Sequence, residues 1–327
     1  MKSPGYFWKR WHPVALLLFP LSLLMRGLVF IRRLAYRLRL LPVYHSPVPV
    51  IVVGNLTVGG TGKTPLVIWL CKYLQSLGYT PGVVIRGYGG KATSWPQQVR
   101  ADSDPQVAGD EPVVIADLTG SPVCASPSRA DAARALLEHA DCDVIISDDG
   151  LQHFALDRDI EIVVIDGERR FGNGMLLPAG PLRESVKRLR HVDFVIVNGH
   201  CQDNEHCMLL EPGQVVNLAN GETTPLEGFR GQRVHLVTGL GNPKRFIDML
   251  NDAGLETELH LFADHHTYSH GDLAFDDDMP VIMTAKDAVK IRPFADRRCW
   301  YLALEVRPPV DVINQVVTAL KMKENNG

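Results

Sequence analysis

The sequence predicts an α/β protein: a P-loop-type doubly wound parallel sheet, with a second, smaller α/β domain and an N-terminal membrane-associated helix. Three observations carry that expectation. Gly59-Gly60-Thr61-Gly62-Lys63-Thr64 stands between an apolar run, Val50-Ile51-Val52-Val53, and a helical one, Pro65-Leu66-Val67-Ile68-Trp69-Leu70. That is the strand, glycine loop, helix order of a phosphate-binding loop. Short β-branched runs then recur between helix-length polar segments, the pattern of parallel strands covered on both faces. Residues 14–25 are nearly continuous apolar sequence set among arginines.

The N-terminal run is preceded by Lys9, Arg10 and Trp11 and followed by Arg26, Arg32, Arg33, Arg37 and Arg39. It is shorter than the about 20 apolar residues of a bilayer span and contains Pro20. An arginine cluster is also unlike a signal-peptide cleavage region. At helical spacing Arg26, Arg33 and Arg37 share a face, which fits a helix partly immersed in an anionic interface with guanidinium groups reaching headgroups. A buried helix of the first domain and a full span are the alternatives. Residues 1–101 hold 13 Lys/Arg and no acid, while the rest holds 21 Lys/Arg against all 37 acidic residues. That asymmetry points to an anionic partner near the N-terminal part.

Strands are expected at Val50–Val53, Pro81–Ile85, Val144–Ser147, Glu161–Ile165, Phe194–Val197, Val234–Thr238 and Pro280–Thr284, with helices over 64–77, 128–140 and 243–253. The organisation follows: a hydrophobic, basic helical segment over 1–45, a P-loop nucleotide-binding domain over 46–200, a polar linker region over 201–232 and a smaller α/β domain over 233–327. Six cysteines without a CxxC pair read as reduced thiols in a cytosolic compartment. Cys201 and Cys207 with His200 and His206 form a weak metal candidate.

The chemistry concentrates in four places. Glycines let loop amides turn toward phosphates at a helix N-terminus; Lys63 reaches the β/γ-phosphates and Thr64 offers its hydroxyl to Mg²⁺. The general pattern wants glycine at position 57, where this chain has Thr57. Asp148 and Asp149 end an apolar strand, where adjacent carboxylates repel unless a cation or donor stands between them; Asp166 is a second strand-end acid. Asp110, in Gly109-Asp110-Glu111-Pro112, fits a catalytic carboxylate and a helix cap equally. His265-His266, after Asp264, fits a proton relay or a polar loop.

Several strings together resemble the tetraacyldisaccharide 4′-kinase family, the lipid A 4′-kinases of bacterial outer-membrane lipid biosynthesis. They are Gly54-Asn55-Leu56-Thr57-Val58-Gly59-Gly60-Thr61-Gly62-Lys63-Thr64-Pro65, Gly109-Asp110-Glu111-Pro112 and Asp148-Asp149-Gly150-Leu151-Gln152-His153. Further on come Leu177-Pro178-Ala179-Gly180-Pro181-Leu182-Arg183-Glu184, Gly239-Leu240-Gly241-Asn242-Pro243, Asp264-His265-His266 and Thr284-Ala285-Lys286-Asp287. The resemblance spans essentially the whole chain, and Thr57 agrees with it.

The resemblance implies transfer of the ATP γ-phosphoryl group to the 4′-hydroxyl of a tetraacyldisaccharide 1-phosphate, with ATP and Mg²⁺ as cofactors. It also implies a monotopic protein on the cytoplasmic face of the bacterial inner membrane, with two α/β/α domains joined by a short β-ribbon. Its partners would be the acylated disaccharide 1-phosphate lipid and an anionic membrane surface, with no nucleic acid and no protein partner. By position, Thr57, Val58, Gly59, Gly60, Thr61, Gly62, Lys63 and Thr64 match the ATP loop, and Thr64, Asp148 and Asp149 the Mg²⁺ region. Asp110 matches the catalytic carboxylate, His265 the histidine that assists it, and Lys63 acts with them. Gln152, His153, Arg183 and Glu184 match further positions, read as substrate contacts.

The competing reading is a membrane-associated P-loop ATPase or GTPase switch with no lipid acceptor. Val58 stands where deviant P-loop ATPases place a signature lysine. Thr284-Ala285-Lys286-Asp287 has the wrong order for a guanine-reading [Asn/Thr]-Lys-x-Asp motif.

Overall fold

The computed structural model describes Trp8 and residues 12–324; Lys9, Arg10 and Trp11, read above as flanking the first helix, lie outside the described residues. The chain opens on α1 (Pro13–Arg37) and enters the sheet with β1 (Val50–Gly54). α2 (Lys63–Ser76) leads to β2 (Pro81–Ile85), and β3 (Gln97–Val99), α3 (Pro105–Ala108) and α4 (Asp110–Thr119) lead to β4 (Val123–Ala125). α5 (Arg129–His139) precedes β5 (Val144–Asp148), β6 (Ile160–Asp166) and β7 (Phe194–Asn198). Residues 201–232 hold the long β8 (His206–Asn217) and short β9 (Thr223–Pro225). β10 (Arg233–Thr238), α6 (Lys244–Asp252), β11 (Glu256–Leu261), β12 (Val281–Thr284), α7 (Ala285–Ile291), β13 (Cys299–Arg307) and α8 (Val310–Glu324) follow.

Among the described residues the strands form one sheet in the order β11-β10-β12-β13-β8-β7-β6-β1-β5-β2-β4-β3, with β9 on β8. Two runs are parallel, β7-β6-β1-β5-β2-β4 and β11-β10-β12-β13. β8 joins them: it pairs parallel with β7 at His206–Met208 and antiparallel with β13 from Leu209 to Asn217. Pro212 and Gly213 interrupt β8, and the β13 register shifts opposite them, between Leu302 and Leu304, as expected where a strand carries such residues.

Side chains on β1 alternate between two cores. Ile51 and Val53 pack with Leu66, Leu70 and Ile115 of α2 and α4, while Val50 and Val52 pack with Ala132, Ala133 and Leu136 of α5. This two-sided covering is why the parallel strands read as uninterrupted apolar runs. Each fully buried Val, Leu or Ile is worth about 1.5–3 kcal/mol.

Two expectations are corrected. Cys201 and Cys207 are paired as a disulfide, Cα–Cα 6.0 Å, rather than reduced; the connection from β7 to parallel β8 is too short for a helix and doubles back on itself. Among the described residues the other four cysteines are buried and free. The apolar segment is also longer than the uninterrupted run suggests. α1 continues through Pro20 and past Arg26 for 25 residues, long and apolar enough by length and composition to cross a membrane.

Only Ala15 and Ser22 of α1 are buried, and Leu17, Leu24, Phe30 and Ile31 are 60–81% exposed. The Ser22 hydroxyl donates to the Leu176 carbonyl at 2.8 Å and accepts from the Ala179 amide at 3.0 Å, seating the helix on the loop before Arg183. Arg33, expected among the outward arginines, instead turns inward, 3.8 Å from Glu184. Arg39 lies beyond the helix end, at φ 57°.

Candidate functional site

β1 delivers the chain to a loop that is braced from several sides. Gly62 takes φ 92° as the cap of α2, and a Cβ there would collide with the Asn198 side-chain amide; only glycine serves at such a position. The Asn198 amide donates to the Thr61 carbonyl at 3.0 Å, and Asn55 donates to Thr61 Oγ1 at 3.3 Å. Thr57 faces Leu182 in an antiparallel bridge, and the Val58 amide donates to the Pro181 carbonyl at 2.9 Å. Position 57 is therefore extended backbone with its side chain buried, which explains why it does not need glycine. The Arg169 guanidinium donates to the Gly60 carbonyl and is gripped by Asp166 at 3.0 Å. Asp166, the second strand-end acid, is thereby a loop brace.

Lys63 and Thr64 open α2 against the end of β5. Thr64 Oγ1 donates to Asp148 Oδ2 at 2.8 Å, and Lys63 Nζ lies 3.5 Å from Asp149 Oδ1. Asp148 is 1% exposed, and its second oxygen, Oδ1, is buried with no hydrogen-bond partner. Burial first, then the Glu111 carboxylate, push Asp148 up to about 6, against the pull of Lys63. Asp149, at φ 49°, behaves oppositely: burial raises it, but Lys63 and Arg183 outweigh burial and bring it to about 2. Neighbouring carboxylates are thus driven apart by their surroundings.

Arg183 NH1 donates to both Asp149 oxygens at 2.8–2.9 Å and lies 3.5 Å from Gln152 Oε1. Gln152 donates to Glu184 Oε1 at 2.9 Å and to the Asn55 carbonyl at 3.2 Å. Glu184 is buried and faces Arg33 of α1, so a contact chain runs from Lys63 to the N-terminal helix. His153 is half-buried, and burial followed by the Arg129 charge pushes its imidazole down to about 3, leaving it neutral. Arg129 itself is buried under the two acids and donates to the Asp148 carbonyl at 2.9 Å. Burial lowers it to about 10.

A second cluster joins the two runs of the sheet. Asp110 is the first residue of α4 and is buried, but Gly109 is the cap and no side chain closes it. The capping role belongs instead to Asp104, one helix earlier. Asp110 meets His265 from the loop after β11: Nδ1 lies 3.1 and 3.2 Å from the two carboxylate oxygens. His265 holds φ 60° and packs edge-on against Tyr88. Lys286 and Lys290, one turn apart on α7, each approach Asp110 to 3.8 Å.

Burial works against ionisation of Asp110, yet its bond to His265 and the two lysines hold its carboxyl below the usual value. The same bond raises His265. Glu111 connects the clusters, accepting from Lys286 at 3.3 Å while its charge acts on Asp148. A cleft of about 300 Å³ opens beside Asp110, lined by Gly89, Lys91, His265, Tyr268 and Lys290. His266 turns to Asp272, 3.5 Å away, and stands apart from this pair.

The loop residues, Lys63, Thr64, Asp148, Asp149, Gln152, Arg183 and Glu184 thus meet in the first cluster and Asp110 with His265 in the second; His153 sits beside the first, while His266 and the disulfide-bonded Cys201 and Cys207 belong to neither. Arg129, Asn198, Arg169 and Lys290 escaped the sequence reading, and Lys286 and Glu111 lay inside quoted strings without a role. The Lys286/Lys290 spacing, one turn on one helical face, was the available signal; the others are tertiary contacts without a local pattern. On the far side Arg245 of α6 donates to Asn198 Oδ1 at 3.1 Å and so touches the loop through that amide.

A family model described as Tetraacyldisaccharide-1-P 4′-kinase matches residues 14–321. Among curated relatives, proteins named Tetraacyldisaccharide 4′-kinase are similar from end to end. The one from Nitrosococcus oceani is 49% identical over 96% of this chain and 93% of its own length. That from Histophilus somni is 48% identical over 92% and 93%. Among solved structures, the crystal structure of an LpxK from Aquifex aeolicus in complex with ATP superposes with TM-score 0.79 at 27% identity, covering 94% of this chain and 99% of that one.

Proposed function

This chain belongs to the tetraacyldisaccharide-1-P 4′-kinase family, and from that premise we propose that it transfers the γ-phosphoryl group of ATP to the 4′-hydroxyl of a tetraacyldisaccharide 1-phosphate, a step of lipid A biosynthesis. The observation that carries this reading is the meeting of Lys63 and Thr64 with Asp149 and Asp148 on one side of the site and an intact Asp110–His265 pair on the other.

The loop amides of Thr57 to Thr64 cradle the phosphates, and Lys63 supplies charge to the β/γ-phosphates. Thr64, Asp148 and Asp149 are the residues that would hold Mg²⁺. The partnerless buried oxygen of Asp148 beside the Thr64 hydroxyl supports that fit. When bound, the ion neutralises charge on the phosphate oxygens. Arg183 leaves Asp149 to spread charge on the transferring phosphoryl group, steered by Gln152 and Glu184, and neutral His153 offers a hydrogen bond to the sugar.

A sugar hydroxyl is a poor nucleophile, so an acceptor for its proton helps as that proton becomes acidic in the transition state. Asp110 takes the part: it stays ionised although buried, and His265 fixes both its oxygens.

The exposed apolar length of α1 supports a monotopic seat on the cytoplasmic face of the inner membrane. Exposed arginines there add about 1 kcal/mol each on an anionic surface. An acylated acceptor stays in that surface, and confining enzyme and acceptor to it raises their effective concentration. We take 46–200 as the kinase domain, 201–232 as the connector with β8 and β9, and 233–327 as the smaller domain.

The test uses γ-labelled ATP, Mg²⁺ and tetraacyldisaccharide 1-phosphate in detergent. Label on the lipid that is lost in Lys63→Ala supports the kinase; label released only as inorganic phosphate supports a nucleotide switch instead.

A further inference from the structure

The edge of the sheet carries a separate set of donor atoms, away from β1 in the strand order. His235 on β10 and Glu258 on the neighbouring parallel β11 are register partners. His260, two residues on, shares the face of Glu258 because side chains alternate along a strand. One ligating atom from each of the three lies within 4.8 Å of the others. His235 Nδ1 is 2.9 Å from His260 Nε2, and Glu258 Oε1 is 3.9 Å from that same nitrogen.

The surroundings suit coordination. The His235 side chain is 3% exposed, and its Nε2 meets Asp277 Oδ1 at 3.0 Å. Asp277 is itself fixed by the Met279 amide at 3.0 Å. A carboxylate that accepts from Nε2–H leaves Nδ1 with the lone pair, the usual outer partnership of a metal-ligating histidine. The lone pair points at His260, so the two rings either share one proton or face a cation together. Phe275 stacks on His235 with centroids 3.8 Å apart and lies 4.5 Å from His260, giving the cluster an apolar wall.

We propose that His235, His260 and Glu258 form a divalent metal site of zinc chemistry, with Asp277 orienting His235, that fastens the edge strand β11 to β10. Two imidazole nitrogens and one carboxylate oxygen, with water as the fourth ligand, match tetrahedral Zn²⁺ at about 2.0–2.2 Å per bond. Mg²⁺ prefers oxygen ligands and retains several waters, so this site and the phosphate site select different ions. Phosphoryl transfer does not require it.

The experiment titrates Zn²⁺ alone into tag-free, chelator-stripped full-length protein by calorimetry, in excess Mg²⁺ that occupies the Asp148/Asp149 region. One Zn²⁺ per chain is expected, with Co²⁺ giving tetrahedral absorption bands at the same stoichiometry. His260→Gln and Glu258→Ala, at a half-buried and an exposed position, should weaken binding by more than about 100-fold. Asp277→Asn should weaken it about 10–100-fold, the span for an outer partner of a ligand. Zn²⁺ should raise the thermal midpoint of the wild type but not of His260→Gln. Binding unchanged in both ligand variants, or no Zn²⁺ taken up by the wild type at micromolar metal, overturns the proposal and leaves the three residues a hydrogen-bonded chain.

Discussion

Asp148→Asn should stabilise the ligand-free protein while abolishing its activity. Asp148 is 1% exposed, and burial, aided by the Glu111 charge, moves its carboxyl from 3.8 to about 6. A carboxylate whose folded pKa is raised binds its proton more tightly when folded. Its penalty is therefore absent below about pH 4, grows between about 4 and 6, and is complete above about 6. At about 1.4 kcal/mol per pH unit the ionised form costs roughly 3 kcal/mol. Asparagine keeps the shape, and its carbonyl still accepts from Thr64. Its amide takes the place of Oδ1, which has no partner to lose.

Calorimetric unfolding in chelator should thus show the variant melting roughly 5 °C higher at pH 8 and level with the wild type near pH 4. Added Mg²⁺ and ATP should reverse the order, since the share of their stabilisation that comes through the ion needs a carboxylate at position 148. A variant less stable at pH 8, or a gain independent of pH, would refute the account of Asp148 as an ion site held open at a cost in stability.

Asp110→Asn should lower kcat about 10²–10⁴-fold, the span for a lost acid or base, with ATP affinity retained in a filter-binding assay. The fold should survive, because Lys286 keeps Glu111, Lys290 keeps Asp287 at 3.4 Å and His265 keeps Asp264 at 3.7 Å. The depressed Asp110 contributes stability above about pH 4 and the raised His265 below about 6.5. The melting difference should accordingly be widest between those limits and narrow as pH rises through the folded pKa of His265. Lys63→Ala should reduce turnover by at least about 10²-fold in the labelled-lipid assay. Removing residues 1–40 should move the protein to the soluble fraction after ultracentrifugation; unchanged sedimentation would mean that another surface holds it.

What was legible in the sequence was whatever is local. The glycine loop, the strand-end acids and the parallel strands each write their requirement into consecutive residues: glycine for φ 92° at Gly62, apolar runs for strands covered on both faces. Asp110 was ambiguous because a helix start and a catalytic carboxylate use the same residue type; only the fold brings His265 to it across the sheet and assigns the cap to Gly109. Arg129, Asn198 and Lys290 were invisible for the related reason that their partners lie far along the chain. β8 was hidden by its own composition. Pro212 and Gly213 in mid-strand read as a polar connector, and the shifted register of β13 absorbs them.

The inward turn of Arg33 separates two jobs that the sequence had merged. Arg26 and Arg37 are exposed on α1, and among the described residues neither forms an ion pair, so each is free for an anionic surface, which would be worth about 1 kcal/mol or roughly fivefold in vesicle binding. Arg33 faces Glu184, a buried carboxylate whose other oxygen takes the Gln152 amide, and Gln152 in turn touches Arg183 on Asp149. Removing Arg33 leaves Glu184 facing the helix with an uncompensated charge, so the disturbance travels inward to Arg183 and not outward to lipid. Arg33→Ala should then reduce turnover about 2–5-fold in neutral detergent micelles, where no anionic surface exists, since an exposed partner contributes up to about 1 kcal/mol. Arg26→Ala and Arg37→Ala should match the wild type there and lose binding only to anionic vesicles. If Arg33→Ala behaves like the other two, α1 is an anchor alone and the chain of contacts from Glu184 to Asp149 ends at the protein surface.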